Sequence, residues 1–296
     1  MKKLTIVTHN SHFHTDDVFA VATLLLLLEK EYEVNVVRSR DQTVIAEADY
    51  VVDVGGVYDP DKNCFDHHQA GGAGKRENSI PYASFGLVWK KYGEQLCGSQ
   101  EIANYIDQIL VQPIDAIDNG VAISRKLFGD IKIYDVGDFL NAFLSTWKEE
   151  QNNVDEIFEK VLPYAKLILN REITRQRDSL EAREIIVKIY NESRDKKLII
   201  FDEPYPALEF LSKFPEPLFF IMPRVDGTWS IRAVRDREDS FINRKDLPES
   251  WAGKSGEELE KVARVPGAIF CHSGRFLVVA KTKEAILKLA AIALRS

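Results

Sequence analysis

The first 56 residues alternate between short apolar runs and helical stretches, and this order constrains the fold more than any other feature of the chain. Lys3–Thr8 has the composition of a buried strand, and an apolar helix follows from Thr15-Asp16-Asp17 to about Glu31. Thr15 is the expected N-cap, with acids in the first turn. Glu33–Arg38 alternates as a second strand, Val44–Asp49 suits a short helix, and Tyr50–Val54 is a continuous apolar strand closed by Gly55-Gly56. Strands alternating with helices pair in parallel, because the crossover returns each strand to the same end of the sheet. An α/β fold with a parallel N-terminal sheet is therefore expected.

Beyond the glycine-rich stretch Gly71-Gly72-Ala73-Gly74, helical patterns cover Tyr82–Leu96 and Glu101–Ile117, with Pro113 marking a kink or break. Gly137–Trp147 and Val154–Ser193 read as helix rich in Glu, Lys, Arg and Leu, a connecting arm that also offers a surface for a homodimer. Strand-like runs return at Lys197–Phe201, Leu218–Met222, Trp229–Val234 and Phe276–Ala280, and a helix over Lys283–Arg295 closes the chain. The expected organisation is a catalytic domain over 1–135, a helical arm over 136–195, and a smaller α/β or α+β domain over 196–296, with the site between the domains.

A net charge of −7 argues against a protein that coats long nucleic acid through bulk electrostatics, since such binders present basic surfaces that displace counterions. A local basic cleft is compatible with it. The longest apolar run, Val18–Leu28, is too short to span a bilayer and is flanked by Asp17 and Glu29, so a cytoplasmic protein without a membrane segment is expected. Cys64, Cys97 and Cys271 are odd in number and form no CxxC pair, which points to reduced thiols.

The chemistry concentrates near the N-terminus. Of the 6 histidines, His9, His12, His14, His67 and His68 all fall within the first 68 residues, and each follows an expected strand. In open parallel sheets, ligands collect beyond the carboxyl ends of the strands, so His9 and Asp53 should face one crevice. The turn His9–Asp17 can aim imidazoles and one or two carboxylates into that space, a donor mixture that suits Mn, Fe, Zn or Co better than an all-oxygen site would. Taken singly, Asp16 and Asp17 could also be solvated acids at a helix N-terminus. Asp53 interrupts an apolar strand, where a carboxylate needs a metal, a cation or several donors; capping the next turn is its plainer role. In Asp66-His67-His68, one ring can bind metal while the other meets a substrate oxygen, and the acid can orient a ring. Asp115 and Asp118, spaced i,i+3 in Ile114–Gly120, share a helix face, and either could complete a second metal site. In the distal part, Arg232 and Arg235 alternate along a strand, and His272-Ser273-Gly274-Arg275 offers an imidazole, a hydroxyl, backbone donors and a guanidinium to phosphate oxygens. Lys75, Arg76 and Arg224 could line the same cleft or lie on solvated surface.

Together, the THNxxFHxDD pattern at 8–17, VVDVGG at 51–56, the DHH at 66–68, IDAIDNG at 114–120, WSIRAV at 229–234 and CHSGRF at 271–276 resemble the MYG-type family, which is similar to the DHH phosphoesterase superfamily. The resemblance implies a DHH-like catalytic domain, a distal substrate-binding domain and a centre of two divalent ions, usually Mn2+, with Mg2+, Co2+, Zn2+ and Fe2+ as alternatives. It implies that His9, His14 and Asp53 hold one ion and that Asp16, Asp53, His67 and Asp118 hold the other, Asp53 bridging; Asn119-Gly120 after Asp118 favours it over Asp115. His14 stands where most DHH proteins carry an acid, one residue further from His9. The expected activity is phosphodiester hydrolysis by a hydroxide shared between the ions, with Asp66 and His68 as catalytic groups and His272, Ser273, Gly274, Arg275 and Arg232 binding substrate. A 3′–5′ exonuclease acting on RNA or short oligonucleotides leads. A small-molecule phosphodiesterase or pyrophosphatase, a metal-dependent protein hydrolase and a non-catalytic metal-binding protein are the rivals, and the absence of an HExxH helix counts against the protein hydrolase.

Overall fold

The computed structural model describes residues 2–149, 153–237 and 239–296. The chain gathers into two compact units, residues 1–177 and 178–296.

In the first unit, β1 (Lys3–Thr8), α1 (Thr15–Leu28), β2 (Glu33–Arg38), α2 (Gln42–Ala46) and β3 (Tyr50–Val52) follow the expected order. The short strands β4 (Tyr58–Asp59) and β5 (Cys64–Phe65) complete a five-stranded sheet in the order β2-β1-β3-β5-β4. All its pairings are parallel except β4 with β5. That antiparallel edge is a hairpin turned by Asn63, whose left-handed backbone (φ 57) suits an Asn. The sheet buries both faces, as parallel sheets do. Val7, Val51 and Val54 pack with Val44 and Ile45 of α2 on one side. On the other side, α1 is apolar nearly all round and packs against α3 (Ser84–Cys97), with Phe19 and Phe85 rings 5.5 Å apart.

After α3 the chain forms α4 (Gln100–Ile106), a π-helical turn (Asp107–Val111) and α5 (Gln112–Asp118). Pro113 sits in the first turn of α5, where its missing N–H costs little, and the wide turn just before it absorbs the break read from the sequence. Helix α6 covers only Val136–Asn141, shorter than the expected Gly137–Trp147. Past it the Thr146 N–H donates to the Glu149 carboxylate, at 2.6 Å, while the Glu149 N–H returns to the Thr146 carbonyl, so this stretch closes a separate turn. The long α7 (Val154–Glu192) runs on into the second unit.

The second unit contains β6 (Leu198–Ile200), α8 (Ala207–Leu211), β7 (Phe219–Pro223), β8 (Trp229–Ala233), α9 (Gly256–Ala263), β9 (Ala268–Cys271), β10 (Leu277–Ala280) and α10 (Lys283–Arg295). Its sheet runs β6-β7-β8-β10-β9, parallel only between β6 and β7. Alternation along β7 and β8 sends Phe219, Ile221 and Ile231 to a core with Leu259 of α9 and Ile286 and Leu289 of α10. Phe220 points to the opposite core with Ile186 of α7 and Phe210 of α8. The fold is thus mixed α/β, with one mainly parallel and one mainly antiparallel sheet. Cys64, Cys97 and Cys271 are free thiols. No described helix is long and apolar enough to cross a membrane.

Candidate metal centre

The carboxyl ends of β1, β3 and β5 lie side by side in the first unit, and the residues that follow each strand meet there. Helix α1 begins with His14, not Thr15, as N-cap, because the Asp17 carboxylate reaches back to accept from the His14 N–H at 2.9 Å. The first-turn acids are not solvated: Asp16 and Asp17 are both 0% exposed. Asp16 accepts from the Ser84 and Phe85 amides at 3.0 and 2.7 Å. The N-cap of α3 is Ala83, which has no capping side chain, so Asp16 supplies the cap from α1. That contact fixes one helix start against the other.

Asp53 follows β3 with a left-handed backbone, φ 57, and is buried. Its Oδ1 accepts from Ser84 Oγ at 3.0 Å and lies 3.4 Å from both His67 Nε2 and His68 Nδ1. Its Oδ2 lies 3.3 Å from His9 Nε2. His67 Nε2 is in turn 3.2 Å from Asp118 Oδ2, and His14 Nδ1 is 4.0 Å from Asp118 Oδ1. Among the described residues three groups of donors, the atoms of each within 4.8 Å of one another, result: His9, His14 and Asp53; Asp53, His67 and His68; Asp16, His67 and Asp118. Asp53 and His67 each belong to two of them.

The donors fit divalent cations. The His9 Nδ1 is hydrogen-bonded to the Asn10 carbonyl at 3.0 Å, which leaves Nε2 with a lone pair directed among carboxylates. His9 Nε2, His67 Nε2 and Asp17 Oδ2 are all buried with no hydrogen-bond partner. Buried polar atoms are nearly always paired, so three orphans around Asp53 mark a position for positive charge. A proton is the substitute when no cation is present. Burial pushes the His67 pKa down, but the carboxylates of Asp118 and Asp53 beside the ring outweigh it and raise it to about 11. Burial lifts Asp17 to about 7 against the pull of His9. Asp53 is the opposite case: burial would raise it, but His67 and His9 hold it well below the usual carboxylate range.

This sets a sign for metal binding. A ligating imidazole must lose its proton, so ion uptake near neutral pH should release protons and the affinity should rise with pH, by about tenfold per unit for each proton displaced. Calorimetry of Mn2+ binding in two buffers of different ionisation heat measures this; an identical heat in both would contradict it.

The two acids of α5 have separate surroundings. Asp118 reaches the donor cluster, whereas Asp115, 0% exposed, accepts from Arg76 Nη1 at 2.7 Å and from the Gly86 amide at 3.0 Å. Arg76 also grips Asp107 through Nε and Nη2 and lies over the Tyr82 ring. Its guanidinium is spent on these two carboxylates, although the residue also lines a cavity with Asp107 and Gln112. Asp66 accepts from Gly56 N at 2.6 Å through one oxygen and from His68 N and Nδ1, at 3.0 and 2.8 Å, through the other. It therefore fixes the His68 ring, whose side chain is 58% exposed. Ser84 escaped sequence reasoning, since one serine at a helix start carries no signal; only the fold shows that it bonds Asp53 and Asp16 at once.

In the second unit, the turn after β9 is held by the Gly274 amide donating to His272 Nδ1 at 2.9 Å, which leaves Nε2 as the free donor. Ser273 lies in the same turn. Arg275 is paired with Asp246 at 2.6 Å. Arg232 on β8 has a buried Nε without a partner and lines a cavity of about 300 Å3 with Arg235, Tyr205 and Met222. Arg224 is near Asp226, at 3.6 Å.

A family model described as MYG1_exonuc, Uncharacterised protein family (UPF0160), matches residues 5–294. The chain belongs to this family. The MYG1 protein of Dictyostelium discoideum is 31% identical over 98% of this chain and 96% of its own length. The MYG1 exonuclease of Homo sapiens is 30% identical over 96% of this chain and 84% of its own. A solved exopolyphosphatase-related protein from Bacteroides fragilis aligns over 99% of this chain and 92% of its own at 14% identity, but its TM-score of 0.25 is too low to bear on the fold.

Proposed function

We propose that this chain is a divalent-metal-dependent phosphodiesterase of DHH type that removes nucleotides 3′ to 5′ from RNA or short oligonucleotides. The observation that carries the reading is the sharing of Asp53 and His67 among overlapping donor groups, with two imidazole nitrogens buried and unpartnered. The family membership supports it, with a relative named an exonuclease that aligns over 96% of this chain. His9, His14 and Asp53 would hold one ion and Asp16, Asp53, His67 and Asp118 the other; the family resemblance favours Mn2+, and donors that mix imidazole with carboxylate also suit Co2+, Zn2+ or Fe2+ better than Mg2+. Bound there, two divalent ions supply an acidified water and the positive charge that offsets developing charge on phosphoryl oxygens.

The remaining chemistry belongs to the chain. Asp66 accepts from His68 Nδ1, and the imidazolium form of a ring held this way would donate from Nε2 to the phosphoryl or leaving oxygen. Asp66→Asn should therefore lower kcat about 10–100-fold with metal content unchanged. Loss of metal in that variant, measured by elemental analysis, would reassign Asp66. We assign Arg232, His272, Ser273, Gly274 and Arg275 to contacts with substrate; Arg232 and His272 carry the free donors, since Arg275 is already paired with Asp246.

The acids of α5 give a further test. Asp118→Asn should remove one ion, whereas Asp115→Asn should leave both in position, because Asp115 is occupied by Arg76 and Gly86. Equal metal loss in both variants would contradict the assignment. The net charge of −7 keeps a small-molecule phosphodiesterase as the second reading. Labelled single-stranded RNA assayed beside pNP-phosphodiesters and pyrophosphate separates the two.

A further inference from the structure

A cavity of about 630 Å3 in the first unit opens directly onto the metal-ligand cluster, sharing His14, Asp16 and Asp118 with it. Its volume is within the range that holds small-molecule ligands, about 300–1,000 Å3. Much of the remaining lining is aliphatic, with Ile109, Pro113, Ile117 and Val136. Ile109 and Ile117 are 41% and 53% exposed, so large apolar groups stand open beside an ionic cluster. The π-helical turn explains how: it spans Asp107–Val111 and presents Ile109 and Leu110 to the cavity, and such turns recur at functional sites.

The charge of the lining narrows the ligand. Among the described residues no Lys or Arg lines the cavity, and Asp135 and Asp138 are part of its lining. Asp138 is partly neutralised by Lys132, at 2.7 Å. A phosphate chain would find no cation there and would meet acids. An uncharged, flat and largely apolar group suits the aliphatic wall, and hydrogen-bond donors on its edge suit Asp135 or the exposed Asn141. We infer that this cavity seats the base of the terminal nucleoside of the substrate while its phosphate lies at the metal ligands. The inference rests on the phosphodiesterase reading above and adds to it that one nucleoside is gripped through its base. Contact through an aliphatic wall is tolerant of base identity, because every base has an apolar face and the wall reads no base edge.

The test is equilibrium binding, by calorimetry, of AMP, ribose 5-phosphate and inorganic phosphate to the Mn2+-loaded full chain. AMP should bind at least about tenfold more tightly than either of the others, the usual scale for filling an apolar pocket. Ile117→Ala and Ile109→Ala should each reduce that advantage and leave phosphate affinity unchanged, since neither introduces charge beside the metal ligands. Both positions are solvent-exposed, so the variants should fold; far-UV circular dichroism checks this. Ribose 5-phosphate binding as tightly as AMP, or an AMP advantage that survives both substitutions, would overturn the base seat alone. If none of the three binds in the metal-loaded protein, the phosphoester reading falls and the base seat with it.

Discussion

Asp53→Asn is expected to cut metal-dependent turnover by at least about a thousandfold, equivalent to about 4 kcal/mol of barrier, and to reduce bound divalent metal. Asparagine is close to isosteric, tolerates the left-handed backbone at φ 57, and can still accept from Ser84 Oγ. What it removes is one negative charge facing His9, His67 and His68 at 3.3 to 3.4 Å. A folded variant with no activity and depleted metal is therefore the expected result, read by elemental analysis beside a rate measurement. Near-normal turnover in metal-defined buffer would remove Asp53 from the centre of the account.

Arg76→Ala should destabilise the protein by about 3–5 kcal/mol, the cost of leaving buried carboxylates without their cation. The Arg76 side chain is only 8% exposed and serves Asp115 at 0% and Asp107 at 23%. Arg76→Lys should recover only part of this loss, since one ammonium cannot reproduce a fork that bonds two carboxylates. Gly86→Ala should also be damaging, because its Cβ would stand 1.9 Å from Asp115 Oδ2. The clamp bears on function through position: Asp115 is one turn before Asp118 on α5, and Gly86 is two residues after Ser84 on α3. Denaturant midpoints of the metal-free variants measure the effect, and a loss below about 1 kcal/mol would reduce the clamp to an ordinary surface ion pair.

The N-terminal alternation of strands and helices was legible because period-2 and period-3.6 patterns report burial directly. The convergence of His9, Asp53 and His67 was legible for a topological reason, since parallel strands bring their carboxyl ends to one edge. The choice between Asp115 and Asp118 was not. Both occupy one helix at i,i+3, and what separates them is Arg76, 39 residues from Asp115, a contact that no local pattern encodes. The solvated reading of Asp16 and Asp17 failed for the same kind of reason, because the amides that receive Asp16 belong to α3, 68 and 69 residues away. The π-helical turn was also hidden: Pro113 announces a break, but the extra residue that absorbs it depends on packing. The strand β9 is short and lies between Pro266-Gly267 and the His272 turn, so it offers too few alternations to be seen in sequence.

The most direct test of a two-ion phosphodiesterase is the rate at which metal-free protein, titrated with Mn2+, releases the 3′-terminal nucleotide of a single-stranded RNA labelled at that end. A two-ion enzyme should release nothing without metal, and its rate should rise to a plateau as the second equivalent per chain is added. Full activity in excess chelator, or a plateau at one equivalent, would contradict it.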